Sequence, residues 1–372
     1  MNEGPEPAPI VRELPQSRPF IGPEELARRA GRGALLRLGA NESAFGPPPR
    51  ALAAMREQLE RTAWYGDPES NDLREAIAAR HGCGPENVSV GAGIDDLLGL
   101  AVRAYLAPGD VTVATSGSYP TYVYHVLGYG ARLETVPYTA AGSVNLEALA
   151  AHAHAANARQ VYLANPDNPS GAFAGKEAVA AFVAALPPRA LLVLDEAYAD
   201  FVAPHEVLGD AIVPRVVRMR TFSKAYGLAG ARVAYAIGAP GLIATFGKIR
   251  LQYGVNRTAQ IGALVALDER AFVDEVISEV ERGRADYRAM AARHGLATLP
   301  SRTNFVCIDL GSRQRAEAMV GALLARGVFV RKPGLPPLDG HIRVTVGTQG
   351  ERDRLAPIFA EALATLAAPA SR

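Results

Sequence analysis

The feature that most limits how this chain can fold is a set of three nearly continuous apolar runs, "QVYLANP", "ALLVLDEAY" and "RVVRMRTFSK", each ending in polar residues. Runs without polar alternation are what parallel strands need when helices bury both faces of their sheet. Over residues 50–270, shorter runs ("NVSVG", "DVTVATS", "ARLETVPY") alternate with helical stretches ("DDLLGLAVRAYL", "TYVYHVLGYG"). This alternation predicts an α/β domain: a mostly parallel sheet covered by helices. Over 271–372 the order changes to a long polar helix (274–294), the strand "NFVCIDL", a helix (313–326), the strands "GVFVRK" and "HIRVTVG", and a last helix from 350. That pattern predicts a smaller α+β domain. Residues 1–49 read as an N-terminal arm, extended over 1–19 because of its prolines, that also contributes to the smaller domain.

In open α/β sheets ligands bind at the carboxyl ends of the strands, which directs attention to 165–170, 195–198 and 221–224. Asp195 directly follows "LLVL", where an unpaired buried charge is costly, so it needs a cationic partner. A magnesium-holding acid of the nucleotide-hydrolysing kind would require a phosphate loop. In "GAFAGKEA" the glycines Gly171 and Gly175 are one residue too close, and Glu177 stands where Ser or Thr should hold the metal. The dinucleotide pattern fails as well, because in "VGAGIDD" Asp96 takes the place of the third glycine. What that segment does offer is a tight turn opening a helix. Backbone N–H groups at a helix start suit a phosphate, or the segment is a plain turn capped by Asp95.

The partner class follows from charge. Lys plus Arg number 39 against 38 for Asp plus Glu, which provides no basic field for nucleic acid or an anionic membrane and points to a small molecule. No stretch of about 18 apolar residues occurs, and Cys83 and Cys307 lack CxxC spacing, so a soluble cytoplasmic protein is expected. His152 and His154, two apart on a predicted helix, face different ways, and no metal is assigned.

Lys224, strand-end Asp195, the Gly93 turn, the hydroxyls of Thr221 and Ser223, and Arg232 are together the parts that pyridoxal phosphate requires. Its aldehyde needs an amine, its ring nitrogen a carboxylate, and its phosphate several donors. In their order and spacing, "ANPDNPSG", "DEAY" and "SKAYGLAGARVAY" resemble the fold-type I aminotransferases of the aspartate aminotransferase superfamily. "LGANESAFGPPP", "YGDPESNDLREAIA" and "IRVTVGT" are similar to segments of its histidinol-phosphate aminotransferase group. The resemblance spans the chain from about residue 35 and implies a large domain with a seven-stranded-type sheet.

It also implies roles. Lys224 is the Schiff-base lysine and the base that moves the substrate proton, and Asp195 faces the ring nitrogen. Asn168 and Tyr198 bond the cofactor's phenolic oxygen, while Tyr119 stacks on its ring. Gly93, Ile94, Thr221, Ser223 and Arg232 hold the phosphate, with Tyr65 reaching over from a second subunit of a homodimer. Arg343 pairs with a substrate carboxylate, Arg331 assists with a substrate phosphate, and Asn41 and Asn304 line the mouth. Two positions depart from the group's pattern: Gly117 stands where proline is usual, and Phe20 where tyrosine is frequent. The implied reaction moves an amino group from histidinol phosphate, or from an aromatic or hydrophobic amino acid, to a 2-oxo acid such as 2-oxoglutarate. Decarboxylation is the alternative, since threonine-phosphate decarboxylases share this fold and most of these residues. A cofactor-binding sensor without catalysis is a third reading, which the catalytic lysine argues against.

Overall fold

The computed structural model describes residues 4–14, 21–29, 31, 35–209 and 211–367. The chain starts with α1 (Pro9–Arg12), α2 (Pro23–Arg29), β1 (Leu36–Arg37), α3 (Pro49–Leu59) and α4 (Asn71–Arg80). Proline opens α1 and α3, where its missing N–H is one that the helix would leave unpaired anyway. The arm expected to be extended therefore contains a helical turn at 9–12. Residues 1–3 and 15–19 of that arm, and Phe20, lie outside the described residues.

Next come β2 (Val88–Gly91), α5 (Ile94–Tyr105), β3 (Val111–Thr115), α6 (Pro120–Gly128), β4 (Arg132–Val136), α7 (Leu146–Ala155), β5 (Gln160–Ala164), α8 (Lys176–Ala185), β6 (Leu191–Asp195), β7 (Val216–Thr221) and β8 (Ala234–Ile237). Their seven strands form one sheet in the order β2-β8-β7-β6-β5-β3-β4. Pairing is parallel from β7 through β6, β5 and β3 to β4, and antiparallel only where β8 meets β2 and β7. β3, β5 and β6 are buried at every position, as their unbroken apolar runs demand, whereas the edge strand β4 is mostly part-exposed. Leu97, Leu98 and Val126, from α5 and α6, cover one face, and Leu149, Val179 and Phe182, from α7 and α8, cover the other.

The remaining elements are α9 (Pro240–Gly247), α10 (Arg257–Asp268), α11 (Arg270–Arg293), β9 (Phe305–Asp309), α12 (Arg313–Ala325), β10 (Val328–Phe329), β11 (His341–Thr345) and α13 (Gln349–Ala367). β9 and β11 pair antiparallel, and β10 pairs in parallel with β1, which draws the early chain into this α+β layer. From β3 the chain moves outward to edge strand β4 and then back past β3 to β5, so its direction across the sheet reverses there and a crevice opens at the strand ends. Among the described residues no helix is long and apolar enough to cross a membrane.

Candidate active site

A cavity of about 710 Å³ occupies that crevice. Its walls include Tyr119 beyond β3, Asn168 beyond β5, Asp195 and Tyr198 at and beyond β6, and Thr221, Ser223 and Lys224 at the end of β7. Each is delivered by a strand whose buried run stops there. After β7, Phe222 points fully into the core while Thr221 and Ser223 close a local turn: the Ser223 N–H donates to Thr221 Oγ1 at 3.0 Å, and the Thr221 hydroxyl donates to Ser223 Oγ at 2.9 Å. The turn presents the partly buried Lys224 to the cavity, its Nζ 5.7 Å from the centre of the Tyr198 ring. Burial, then the Arg343 guanidinium, lower the Lys224 pKa to about 8.

Asp195 is 6% exposed; its Oδ1 accepts the Ala197 N–H at 3.0 Å and its Oδ2 the Tyr162 hydroxyl at 2.8 Å. Burial raises its pKa to about 6, against the pull of the Tyr162 bond. The Tyr198 hydroxyl accepts from Asn41 Nδ2 at 2.8 Å, and burial pushes that phenol up to about 12. Asn41 sits at φ 54° and exchanges bonds with Thr345 of β11: its N–H donates to Oγ1 at 3.0 Å and its Oδ1 accepts from that hydroxyl at 3.1 Å. Asn168 stands in a loop pinned by buried Asp167, which accepts the Ser170 N–H at 2.9 Å and the Tyr138 hydroxyl at 3.0 Å.

At another wall, Gly93 opens α5 at φ 88° and ψ 168°, followed by Ile94 and Asp95, which line the cavity. Arg232 faces this turn from φ 57°, its Nη2 3.6 Å from Asp95 Oδ2. A β-carbon on Gly93 would lie 2.2 Å from Arg232 Nη2, so the absence of a side chain is what leaves the turn's N–H groups and the guanidinium facing one space. Asp95 Oδ1 and Arg343 Nε are buried without a hydrogen-bond partner among the described residues. An amine, a strand-end carboxylate and this anion cradle open on one cavity, and as a donor set they fit pyridoxal phosphate.

Two further cations open on the cavity. Arg343 on β11 donates to Asn168 Oδ1 and, at 3.3 Å, to the Gly39 carbonyl, its guanidinium 5.2 Å above the Phe305 ring. Arg331 is bridged to it by backbone bonds and donates to the Ile21 carbonyl at 3.1 Å. Burial, then Arg343, lower the Arg331 pKa.

The structure thus gathers Asn41, Ile94, Tyr119, Asn168, Asp195, Tyr198, Thr221, Ser223, Lys224, Arg232, Arg331 and Arg343 around one space, with Gly93 at its edge. Asn304 differs from expectation. It is buried behind the wall and donates to the Asn41 and Glu42 carbonyls at 3.1 and 3.3 Å, supporting the mouth rather than lining it. Tyr65 is 77% exposed, its ring tilted 31° against that of Tyr253 with 4.5 Å between centroids, and does not line the cavity of its own chain. Gly117 adopts φ 79°, which proline cannot reach, so the turn before Tyr119 is built for glycine here. His152 Nε2 donates to Glu134 at 2.8 Å, His154 Nε2 donates to the Ala185 carbonyl at 2.9 Å, and the described residues hold no group of three or more His, Cys, Asp or Glu able to bind a metal. Sequence reasoning missed Tyr162, whose only signal was to be the polar-tipped residue inside "VYLA", and Lys332, which also lines the cavity.

Residues 34–359 match the family model described as aminotransferase class I and II. Histidinol-phosphate aminotransferase 2 of Ralstonia nicotianae is 36% identical over 99% of both chains, and histidinol-phosphate aminotransferase of Roseiflexus castenholzii is 35% identical over 95% of this chain and 97% of its own. The crystal structure of histidinol-phosphate aminotransferase from Sinorhizobium meliloti in complex with pyridoxal-5'-phosphate superposes with a TM-score of 0.93 at 44% identity, covering 96% of this chain and 98% of that one. The strand-end site, the fold and these likenesses agree: the chain belongs to the class I and II aminotransferases, a family of pyridoxal-phosphate enzymes, in the group of the histidinol-phosphate aminotransferases.

Proposed function

We propose that this aminotransferase uses pyridoxal phosphate to take the amino group of histidinol phosphate and pass it to a 2-oxo acid, 2-oxoglutarate being the first acceptor to try. The observation that carries the donor is the pair of guanidinium groups, Arg331 and Arg343, on bridged backbone segments and opening on the cavity that holds Lys224. Lys332 lines the same wall. Two planar forks side by side suit a dianionic phosphate on the donor and a carboxylate on the acceptor in turn.

Bound pyridoxal phosphate supplies an aldehyde for the amine and a ring that draws electrons from the substrate's reacting carbon. The chain supplies the rest. Lys224, half neutral near pH 8, takes and returns the substrate proton at Nζ. Asp195 would keep a proton on the ring nitrogen, and Asn168 and Tyr198 would bond the phenolic oxygen. Tyr119 would pack on the ring. Gly93, Ile94, Thr221, Ser223 and Arg232 would take the phosphate. Asn41 and, behind it, Asn304 shape the mouth. Exposed Tyr65, beside Trp64 and Tyr253, is read as reaching the site of a second copy, so that the working unit is a homodimer. Residues 50–270 are read as the cofactor domain and 271–372, with part of 1–49, as the smaller domain.

The relatives above are named as aminotransferases, which weighs against the decarboxylase alternative. A donor panel decides the reading: histidinol phosphate, aromatic and hydrophobic amino acids are each mixed with the cofactor-loaded protein, and conversion to the pyridoxamine form is followed by absorbance. Histidinol phosphate should convert it with the highest kcat/KM. Carbon dioxide release without that conversion would refute the proposal. Borohydride reduction and peptide mapping should place the cofactor on Lys224.

A further inference from the structure

Asp195 has both carboxylate oxygens engaged, and the stronger donor is a side chain with no role so far. Tyr162 lies on β5, next to β6, is 1% exposed, and donates its hydroxyl to Asp195 Oδ2 at 2.8 Å. Its ring is stacked on Tyr122 of α6, 4.5 Å between centroids and 17° between planes. The Tyr122 hydroxyl is fixed in turn: it donates to Gln160 Oε1 at 2.7 Å and lies 2.5 Å from Thr112 Oγ1, while Gln160 Nε2 donates to the Ala101 carbonyl at 3.1 Å. Hydrogen bonds from α5 and β3 thus fix Tyr122, the Tyr122 ring holds the Tyr162 ring by stacking, and the Tyr162 hydroxyl ends on Asp195.

We propose that Tyr162 is a positioning residue for the cofactor, its hydroxyl aiming Asp195 at the ring nitrogen of pyridoxal phosphate and holding that carboxylate in its ionised form. The proposal rests on the reading that Asp195 faces that nitrogen. Several groups face Asp195: Asp95 from α5, Lys224 beyond β7, Tyr119 ahead of α6, Tyr198 beyond β6, and Tyr162 itself. Burial and the negative charge of Asp95 favour the neutral acid, whereas Lys224 and Tyr162 favour the anion. Lys224 helps only while its amine is protonated. The Tyr162 phenol is pushed well up by burial and by Asp195, so it remains a donor throughout the working pH range. An aspartate whose bond to Tyr162 is lost becomes more basic, and below its new pKa it offers no anion to a protonated ring nitrogen.

The test is the affinity of the full-length protein, freed of cofactor, for pyridoxal phosphate between pH 5.5 and 8.5, in wild type and Tyr162→Phe, which keeps the ring stack and removes only the hydroxyl. Losing one hydrogen bond to a charged group should move the acid limb up by about one pH unit. The variant should then bind about eight-fold more weakly at pH 5.5 and equally at pH 8.5. A variant-to-wild-type ratio that does not change with pH overturns the proposal, whether or not the variant binds more weakly. Because the Phe variant could lose its fold, 3,5-difluorotyrosine at position 162, a stronger donor of almost the same shape, is measured alongside and should move the limb down; an unmoved limb there also overturns it. Asp195→Asn separates the two readings. If the acid limb survives in that variant, Asp195 does not face the ring nitrogen and the proposal falls with that reading. If the limb vanishes there but is unmoved by both changes at 162, only the role of Tyr162 fails.

Discussion

Gly93 offers the sharpest test of where the phosphate of the cofactor is held. Its backbone, at φ 88° and ψ 168°, lies in a region that is essentially restricted to glycine. Gly93→Ala therefore strains the turn by about 1–3 kcal/mol. At about 2 cal/mol/K of unfolding entropy per residue, a chain of this length should lose only about 1–4 °C in Tm. The new β-carbon would also meet Arg232 Nη2 at 2.2 Å and Cζ at 2.8 Å, so the guanidinium must swing out of the cradle. Its present pair with Asp95 is surface-exposed and worth little, but a charge-assisted bond to phosphate is worth about 1.5–3 kcal/mol, or roughly ten- to a hundred-fold in Kd. Titration of the cofactor-free protein with pyridoxal phosphate should show that loss in Gly93→Ala and again in Arg232→Ala. The double variant should lose little more than either one, because both changes remove the same bond. Full additivity, or cofactor affinity in Gly93→Ala within two-fold of wild type, would refute the cradle.

Three further outcomes follow from the same geometry. The rate at which the cofactor-free protein captures pyridoxal phosphate should rise with pH and level off above about 8, because only the neutral Lys224 amine attacks and its pKa is lowered to about 8. Arg343→Ala removes a positive neighbour, so stopped-flow absorbance should find that midpoint moved to higher pH. In steady-state assays Arg331→Ala should raise KM for a phosphate-bearing donor at least ten-fold with a smaller effect on the 2-oxo acid, whereas Arg343→Ala should impair both. Glu196, 2% exposed, accepts from Arg218 Nε at 3.0 Å and from Arg220 Nε at 2.9 Å behind the site. Glu196→Ala leaves two guanidinium groups without that carboxylate and should cost about 3–5 kcal/mol in denaturant unfolding.

What the sequence disclosed about this site depended on how far each signal had to travel. Asp195 and Lys224 were legible because each interrupts an apolar or small-residue run with a charge, a contradiction that only a ligand or a partner resolves. β8 carried no comparable mark. Its "AYAI" is small and weakly β-branched, and its antiparallel place between β2 and β7 is decided by the sheet rather than by its own residues. Tyr162 was illegible for a related reason: its meaning is the register that sets Ala164 of β5 opposite Asp195 of β6, and a single chain of letters does not state which strands are neighbours. The resemblance implies Asn304 as a mouth residue, yet its amide faces the backbone of 41 and 42, so it acts through Asn41. The groups proposed to hold the cofactor are thus written locally, at strand ends and turns. Those proposed to aim them sit one strand or one layer behind, where the fold alone brings Tyr162 to Asp195, 33 positions away. It follows that substitutions in this second layer should move pH profiles and cofactor affinity while leaving the list of contacting residues intact, and the Tyr162 titration measures that directly.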